Sequence, residues 1–126
     1  MARHAFRSSQ VPAPAGAYSA AVSTGQLVFV SAQLPLDGRG RVLEGSAAEQ
    51  ARRALDGLRH QLRSTGLSLD TVAKLTAYVV APEDAAALDE VIGEYFGEPR
   101  PARTVVGVRW LPDGARLQIE AVAVRY

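Results

Sequence analysis

Pro101-Ala102-Arg103-Thr104-Val105-Val106-Gly107-Val108 is the stretch on which the reading of this chain turns. It is apolar and β-branched, the composition of a strand that packs on both faces. One permanent charge, Arg103, stands near its start. A guanidinium keeps its proton in a protein, so an arginine at the mouth of a buried strand needs an anionic partner. That partner is an internal carboxylate, with Glu120 and Asp89 the candidates, or a ligand.

Upstream of this strand, Pro82 opens a helix with Glu83 and Asp84 in its first turn, where the positive end of the helix dipole favours acids. Leu88, Val91, Ile92 and Tyr95 or Phe96 make its buried stripe, and Gly97 closes it. Before that helix, Thr71 to Val80 reads as a strand, with Ala73, Leu75, Ala77 and Val79 on one face and Lys74, Thr76 and Tyr78 on the other. Earlier still, Ser46 and Glu49 form a capping box, and Ala47, Ala51, Leu55, Leu58 and Leu62 recur at spacings of three and four. The spacing predicts a helix that ends at Gly66. Its Arg52, Arg59 and Arg63 read as a solvated face, with an anion-binding strip as the alternative.

Leu27 to Ser31 is apolar without alternation and reads as a strand buried on both sides. Ala17 to Val22 is a weaker strand, with Ser23-Thr24-Gly25 as a turn, and His4-Ala5-Phe6 is a short one. Pro35-Leu36-Asp37-Gly38 carries the Asp-Gly hairpin signal, with Val42-Leu43 as the return. Downstream of Val108, Leu111-Pro112-Asp113-Gly114 is a turn in which glycine takes positive φ. The last strand places Leu117, Ile119, Ala121 and Ala123 on one face and Gln118, Glu120, Val122 and Val124 on the other, and it reads as the return of a hairpin from the Arg103 strand. Two amphipathic helices among these strands make an α+β arrangement with both helices on one face of a sheet. The other face also carries apolar residues with no element left to cover it, so self-association is expected.

At 126 residues the chain reads as one domain, 1–126. The absence of cysteine removes disulfides, thiolate zinc sites and cysteine nucleophiles. The formal charge of +1, with both signs interleaved, gives no nucleic-acid footprint. The N-terminus is too polar for a signal peptide, and no apolar run approaches the roughly 18 residues of a membrane span. A cytoplasmic protein with no membrane or nucleic-acid partner is expected. No paired histidines or Asp-x-Asp array indicate a metal, and no glycine loop between a strand and a helix indicates a phosphate cradle.

Several short pieces, each weak alone, are strong in their order and spacing. They are Ala15-Gly16-Ala17-Tyr18-Ser19, Val30-Ser31-Ala32-Gln33-Leu34-Pro35, Glu49-Gln50-Ala51, Pro101-Ala102-Arg103 and Leu111-Pro112 before Ile119-Glu120-Ala121. From about Pro12 onward the chain resembles the Rid (YjgF-like) family of reactive-intermediate deaminases. The resemblance implies a chorismate-mutase-like α+β fold and a homotrimer with clefts between subunits. It also implies a cofactor-free reaction, in which water adds to an imine or enamine such as 2-iminobutanoate or 2-aminoacrylate to give the 2-oxo acid and ammonia. Arg103 would hold the substrate carboxylate, a task that suits a planar guanidinium better than an ammonium. Tyr18 and Ser31 would line the cleft.

The chain departs from the family pattern at five places. Ala17 replaces a proline, Ala32 a glycine, Val105 a cysteine or threonine, and Asp89 an asparagine. Ala32, Val105 and Asp89 would thereby reshape the substrate pocket. The fifth departure concerns the general base. The family stretch Glu-Ile-Glu-Ala reads Gln118-Ile119-Glu120-Ala121 here, and a glutamine amide orients water without accepting its proton. Glu120 and Asp89 are the carboxylates that would have to stand in. Two other readings compete: a non-catalytic trimer that binds small carboxylates or a partner enzyme, and a ribonuclease, which the isolated His4 and His60 support poorly.

Overall fold

A computed structural model describes residues 2–126; Met1, part of the polar N-terminus considered above, lies outside the described residues. Six strands form one mixed sheet: β1 (His4–Phe6), β2 (Ala21–Thr24), β3 (Leu27–Gln33), β4 (Val72–Val79), β5 (Ala102–Gly107) and β6 (Leu117–Val124). Two helices, α1 (Ala47–Ser64) and α2 (Ala85–Tyr95), cover one face. The spatial order is β1-β2-β3-β6-β4-β5, antiparallel throughout except for the β4–β5 pair. That parallel pair needs a crossover, and α2 supplies it.

Helix α1 starts where its capping box places it. Ser46 accepts from the Glu49 amide, and Glu49 returns a bond to the Ser46 amide. It ends at Thr65, followed by Gly66 at φ 82°, a left-handed conformation that glycine adopts without steric cost. Leu55, Leu58 and Leu62 are fully buried between α1 and the sheet, against Val28, Leu75, Leu117 and Ile119. Burying each leucine contributes about 1.5–3 kcal/mol.

Strand β6 lies at the centre and alternates buried and half-buried residues along its whole length. It is not the return of a hairpin from β5. It inserts between β3 and β4, pairing Val30 with Ala121 on one side and Leu75 with Ala121 on the other. Strand β5 is therefore left at the sheet's edge, and most of its residues are exposed. The expectation that it packs on both faces fails for the single chain, where Val105 alone along the strand is half-buried, against the helix side, and the open face is bare.

Strand β3 likewise alternates: Val28 and Val30 are buried, whereas Leu27 and Phe29 are exposed on the face without helices. The expected strand over residues 17–22 is shifted to Ala21–Thr24, and the turn moves to Gly25, whose φ is 58°. Ala73 does not share the buried face of Leu75. The register against β6 shifts between Val72 and Lys74, so Val72 turns inward and Ala73 out, as a bulge does. Phe96, in extended conformation, rather than Gly97, caps α2. Gly114 has the expected positive φ of 73°, and Asp113 before it is left-handed too, at 54°.

Two glutamines of the quoted motifs make side-chain bonds to the backbone: Gln50 ties two segments together, and Gln33 bonds within β3. The Gln50 amide donates to the Leu43 carbonyl at 2.7 Å and accepts from the Arg116 amide at 2.9 Å, tying the hairpin return to the entry of β6. Gln33 donates to the Ser31 carbonyl at 2.9 Å.

Candidate functional site

Period-two alternation, combined with the strand register, fixes which way each candidate side chain points. Arg103 is in register with Leu75 and Val105 with Ala77, both buried toward the helices. Arg103 and Val105 therefore occupy the helix side of the edge strand. Val105 is half-buried against the core. Arg103 reaches Asp89 of α2, Nε to Oδ1 at 3.3 Å, with both side chains well exposed at 38% and 61%. The internal carboxylate partner is thus real. At that exposure, however, such a pair is worth about 0–1 kcal/mol, too little to prevent a ligand carboxylate from replacing it.

Gln118 and Glu120 face the other way. They are in register with Tyr78 and Thr76 on the face that no helix covers. Glu120 accepts a hydrogen bond from the Tyr78 hydroxyl. That bond, and then partial burial, raise the Tyr78 pKa and keep the phenol protonated. Tyr78 is the partner that sequence reading missed. Alternation had placed both residues on the polar faces of their strands, but only the pairing of β4 with β6 brings them together.

Tyr18 is 55% exposed in the loop before β2. Ser31 anchors this loop: its amide donates to the Ala20 carbonyl at 2.9 Å and its hydroxyl to the Ser19 carbonyl at 2.7 Å. The Ser31 hydroxyl thus first serves to position Tyr18. Tyr18 and Ala32 line a common hollow of about 140 Å³. Asp113 lines the same hollow, which nothing in a Pro-Asp-Gly turn foretells.

The candidate residues therefore form two groups. Arg103, Val105 and Asp89 lie at one edge of the sheet; Tyr18, Ser31 and Ala32 lie around β3, with Gln118 and Glu120 beside them on β6. From β3 to β5 there are three strand steps, about 14 Å at the usual inter-strand spacing. Arg103 and Gln118 also point to opposite faces. One chain does not bring these groups together. Among the described residues, no group of three or more His, Asp or Glu side chains is placed to hold a metal ion, and no helix is long and apolar enough to cross a membrane.

This sheet order, with both helices on one face and an arginine opening the edge strand, defines a YjgF-like α+β protein. The chain belongs to the family described as Endoribonuclease L-PSP, the YjgF/RidA family, whose model matches residues 8–125. It is 36% identical to 2-iminobutanoate/2-iminopropanoate deaminase of Rattus norvegicus, over 98% of this chain and 90% of the relative. Among solved structures, RidA from an Antarctic Psychrobacter matches with a TM-score of 0.91 at 32% identity, covering 96% of this chain and 98% of that one. E. coli TdcF with bound serine matches with a TM-score of 0.91 at 31% identity, covering 98% and 99%.

Proposed function

We propose that this chain works as a homotrimer that hydrolyses 2-imino or 2-enamino acids to 2-oxo acids and ammonia. In this reading Arg103 of one copy meets Tyr18, Ser31, Ala32, Gln118 and Glu120 of the next. The observation that carries it is Arg103 itself. It is an exposed guanidinium on an edge strand, opposed by a single weak carboxylate contact, in a family whose members include named imine deaminases. The relative with bound serine supports a site for a small amino-acid carboxylate.

Arg103 binds the substrate carboxylate through two parallel N–H donors, displacing Asp89. Water then adds to the C=N carbon. One of its protons passes to nitrogen on addition and the second, from the new hydroxyl, as the tetrahedral intermediate collapses to the carbonyl and expels ammonia; an enamine reacts through its imine tautomer. Gln118 orients the water through its amide oxygen. Glu120 lies two residues along on the same face, and the Tyr78 bond holds it. The open sheet face carries Leu27, Phe29 and Val106, each about two-fifths exposed, which is the apolar surface that association would cover.

The test mixes the protein with threonine dehydratase and threonine and follows decay of the transient 2-imino acid. Acceleration by the protein and none by Arg103→Ala supports the reading; equal decay with both overturns it. Gln118 favours one second reading, carboxylate binding without turnover. Calorimetric binding of 2-oxobutyrate combined with no acceleration of imine decay would select it.

A further inference from the structure

We propose that the groove between the N-terminal segment and the outer side of α1 is a second ligand site, for a small molecule with one phosphate or carboxylate head on an apolar body. The groove encloses about 410 Å³, within the range of small-molecule sites, ~300–1,000 Å³. Arg7, Ser9 and Gln10 form one bank. Arg53, Gly57 and His60 form the other, at helical spacings that put them on one stripe of α1. Gly57 sits close against Gln33, whose Oε1 would lie 3.2 Å from a Cβ at that position. Past His60 the groove continues into a more open hollow that adds Arg63 and Ser64.

The charges distinguish this groove from an ordinary solvated helix face. The two α1 arginines on the α2 side are engaged: Arg52 pairs with Glu94 at 3.0 Å, and Arg59 contacts Asp56 at 3.5 Å and lies over the Tyr95 ring. Arg7, Arg53 and Arg63 have no carboxylate within 4.0 Å among the described residues; Arg7 and Arg53 line the groove, and Arg7 and Arg63 line its open extension. An anion strip therefore runs through Arg53 and Arg63, not through Arg52 and Arg59.

Two acids also line the groove: Asp56 is paired with Arg59, and Asp37 has no guanidinium or ammonium within 4.0 Å among the described residues. Asp37 accepts from the amides of Arg39 and Arg41 at 2.8 and 3.0 Å, and Asp56 accepts from the Tyr95 hydroxyl at 2.8 Å. With Asp56 set against Arg59, the charges of Arg7, Arg53 and Arg63 outweigh that of Asp37 along the groove and its open extension, and the excess fits one anionic head. Val11, Pro12, Leu34 and Leu36 line the remaining wall and fit an apolar body. Asp37, next to Leu36, disfavours a second anionic group at that end. Val11, Pro12, Leu34 and Leu36 line both this groove and the hollow of Tyr18 and Ala32, so that wall separates the two, while Arg7, Arg53 and His60 belong to the groove and not to the hollow. Nothing here depends on the deaminase reading.

The experiment is an amide NMR titration of the full chain with AMP, hexanoate, adenosine and inorganic phosphate. The expected result is saturable shifts at Ser9, Gln10, Gly57 and His60 with AMP or hexanoate, and markedly weaker ones with adenosine or phosphate alone. Which of the two saturates at lower concentration tells whether the head is phosphate or carboxylate. The double variant Arg7→Gln/Arg53→Gln, its fold verified by the same spectrum, lowers the affinity by about tenfold or more, the scale of a lost charge-assisted contact. Arg103→Ala leaves these shifts unchanged. The proposal is overturned by an absence of shifts at millimolar probe, by shifts confined to the surroundings of Arg103, by unchanged affinity in the double variant, or by phosphate alone binding as tightly as AMP.

Discussion

Strands β5 and β6 have similar apolar, β-branched compositions and opposite fates. Every second residue of β6 is buried under the helices, and both of its edges are paired. β5 has one neighbour, and Val105 alone along it is even half-buried. An apolar run shows that a strand is suited to being covered; it does not show that its own chain covers it. The same contrast separates the two faces of the sheet, one sealed by α1 and α2, the other presenting Leu27, Phe29 and Val106.

The largest effect that sharpens this contrast lies on the covered face. Leu58→Ala, at a fully buried position, is expected to lower unfolding free energy by about 2–5 kcal/mol in denaturant titrations. Phe29→Ser on the open face is expected to leave the fold's circular dichroism intact while shifting mass in sedimentation toward monomer. If Phe29→Ser unfolds the chain with mass unchanged, the two faces do not differ in the way described.

The next effect is catalytic. Gln118→Glu restores a carboxylate at the position where the family pattern has one, and is expected to raise the rate of 2-imino acid decay by about 10²-fold, the lower end of general-base assistance. A rate that is unchanged would show that Gln118 does not address the water.

A smaller effect is expected at the edge strand. Asp89→Asn removes the one carboxylate competing for Arg103, and 2-oxobutyrate is expected to bind up to about fivefold tighter by calorimetry, the worth of an exposed ion pair.

The smallest effect compares two tyrosines, one on each side of the sheet. Tyr95, between the helices, has its pKa pushed up to about 12, by burial first and then by its bond to Asp56. Tyr78, on the open face, is raised first by its bond to Glu120. Because the Tyr95 pKa is raised on folding, its contribution to stability is complete below the ordinary phenol value of about 10 and is lost as pH climbs through about 12. Glu120→Gln is expected to lower the Tyr78 transition in an alkaline absorbance titration and to leave that of Tyr95 in place.

What the sequence made legible was local. Ser46, Glu49 and Gly66 marked both ends of α1, because caps act within one turn. Leu117 to Val124 showed its two faces, because pleating has a period of two. The insertion of β6 between β3 and β4 was not legible, since strand order is set by long-range pairing that leaves no mark on either strand's alternation. The same holds for Tyr78 beside Glu120, and for Asp113 in the hollow of Tyr18. The candidate site was legible as a set of residues through the family resemblance. Its division between the helix side of β5 and the surroundings of β3 was not, because register alone decides it.

That division sets the central claim: Arg103 and Tyr18 act together across two copies of the chain. The most direct measurement mixes Arg103→Ala and Tyr18→Ala chains, unfolds and refolds them together, and assays 2-imino acid decay. Random assembly gives a fraction of about one quarter of the clefts with both residues intact, so activity is predicted to recover to about a quarter of the native level. Activity that stays at the level of the two variants assayed separately would contradict a shared cleft.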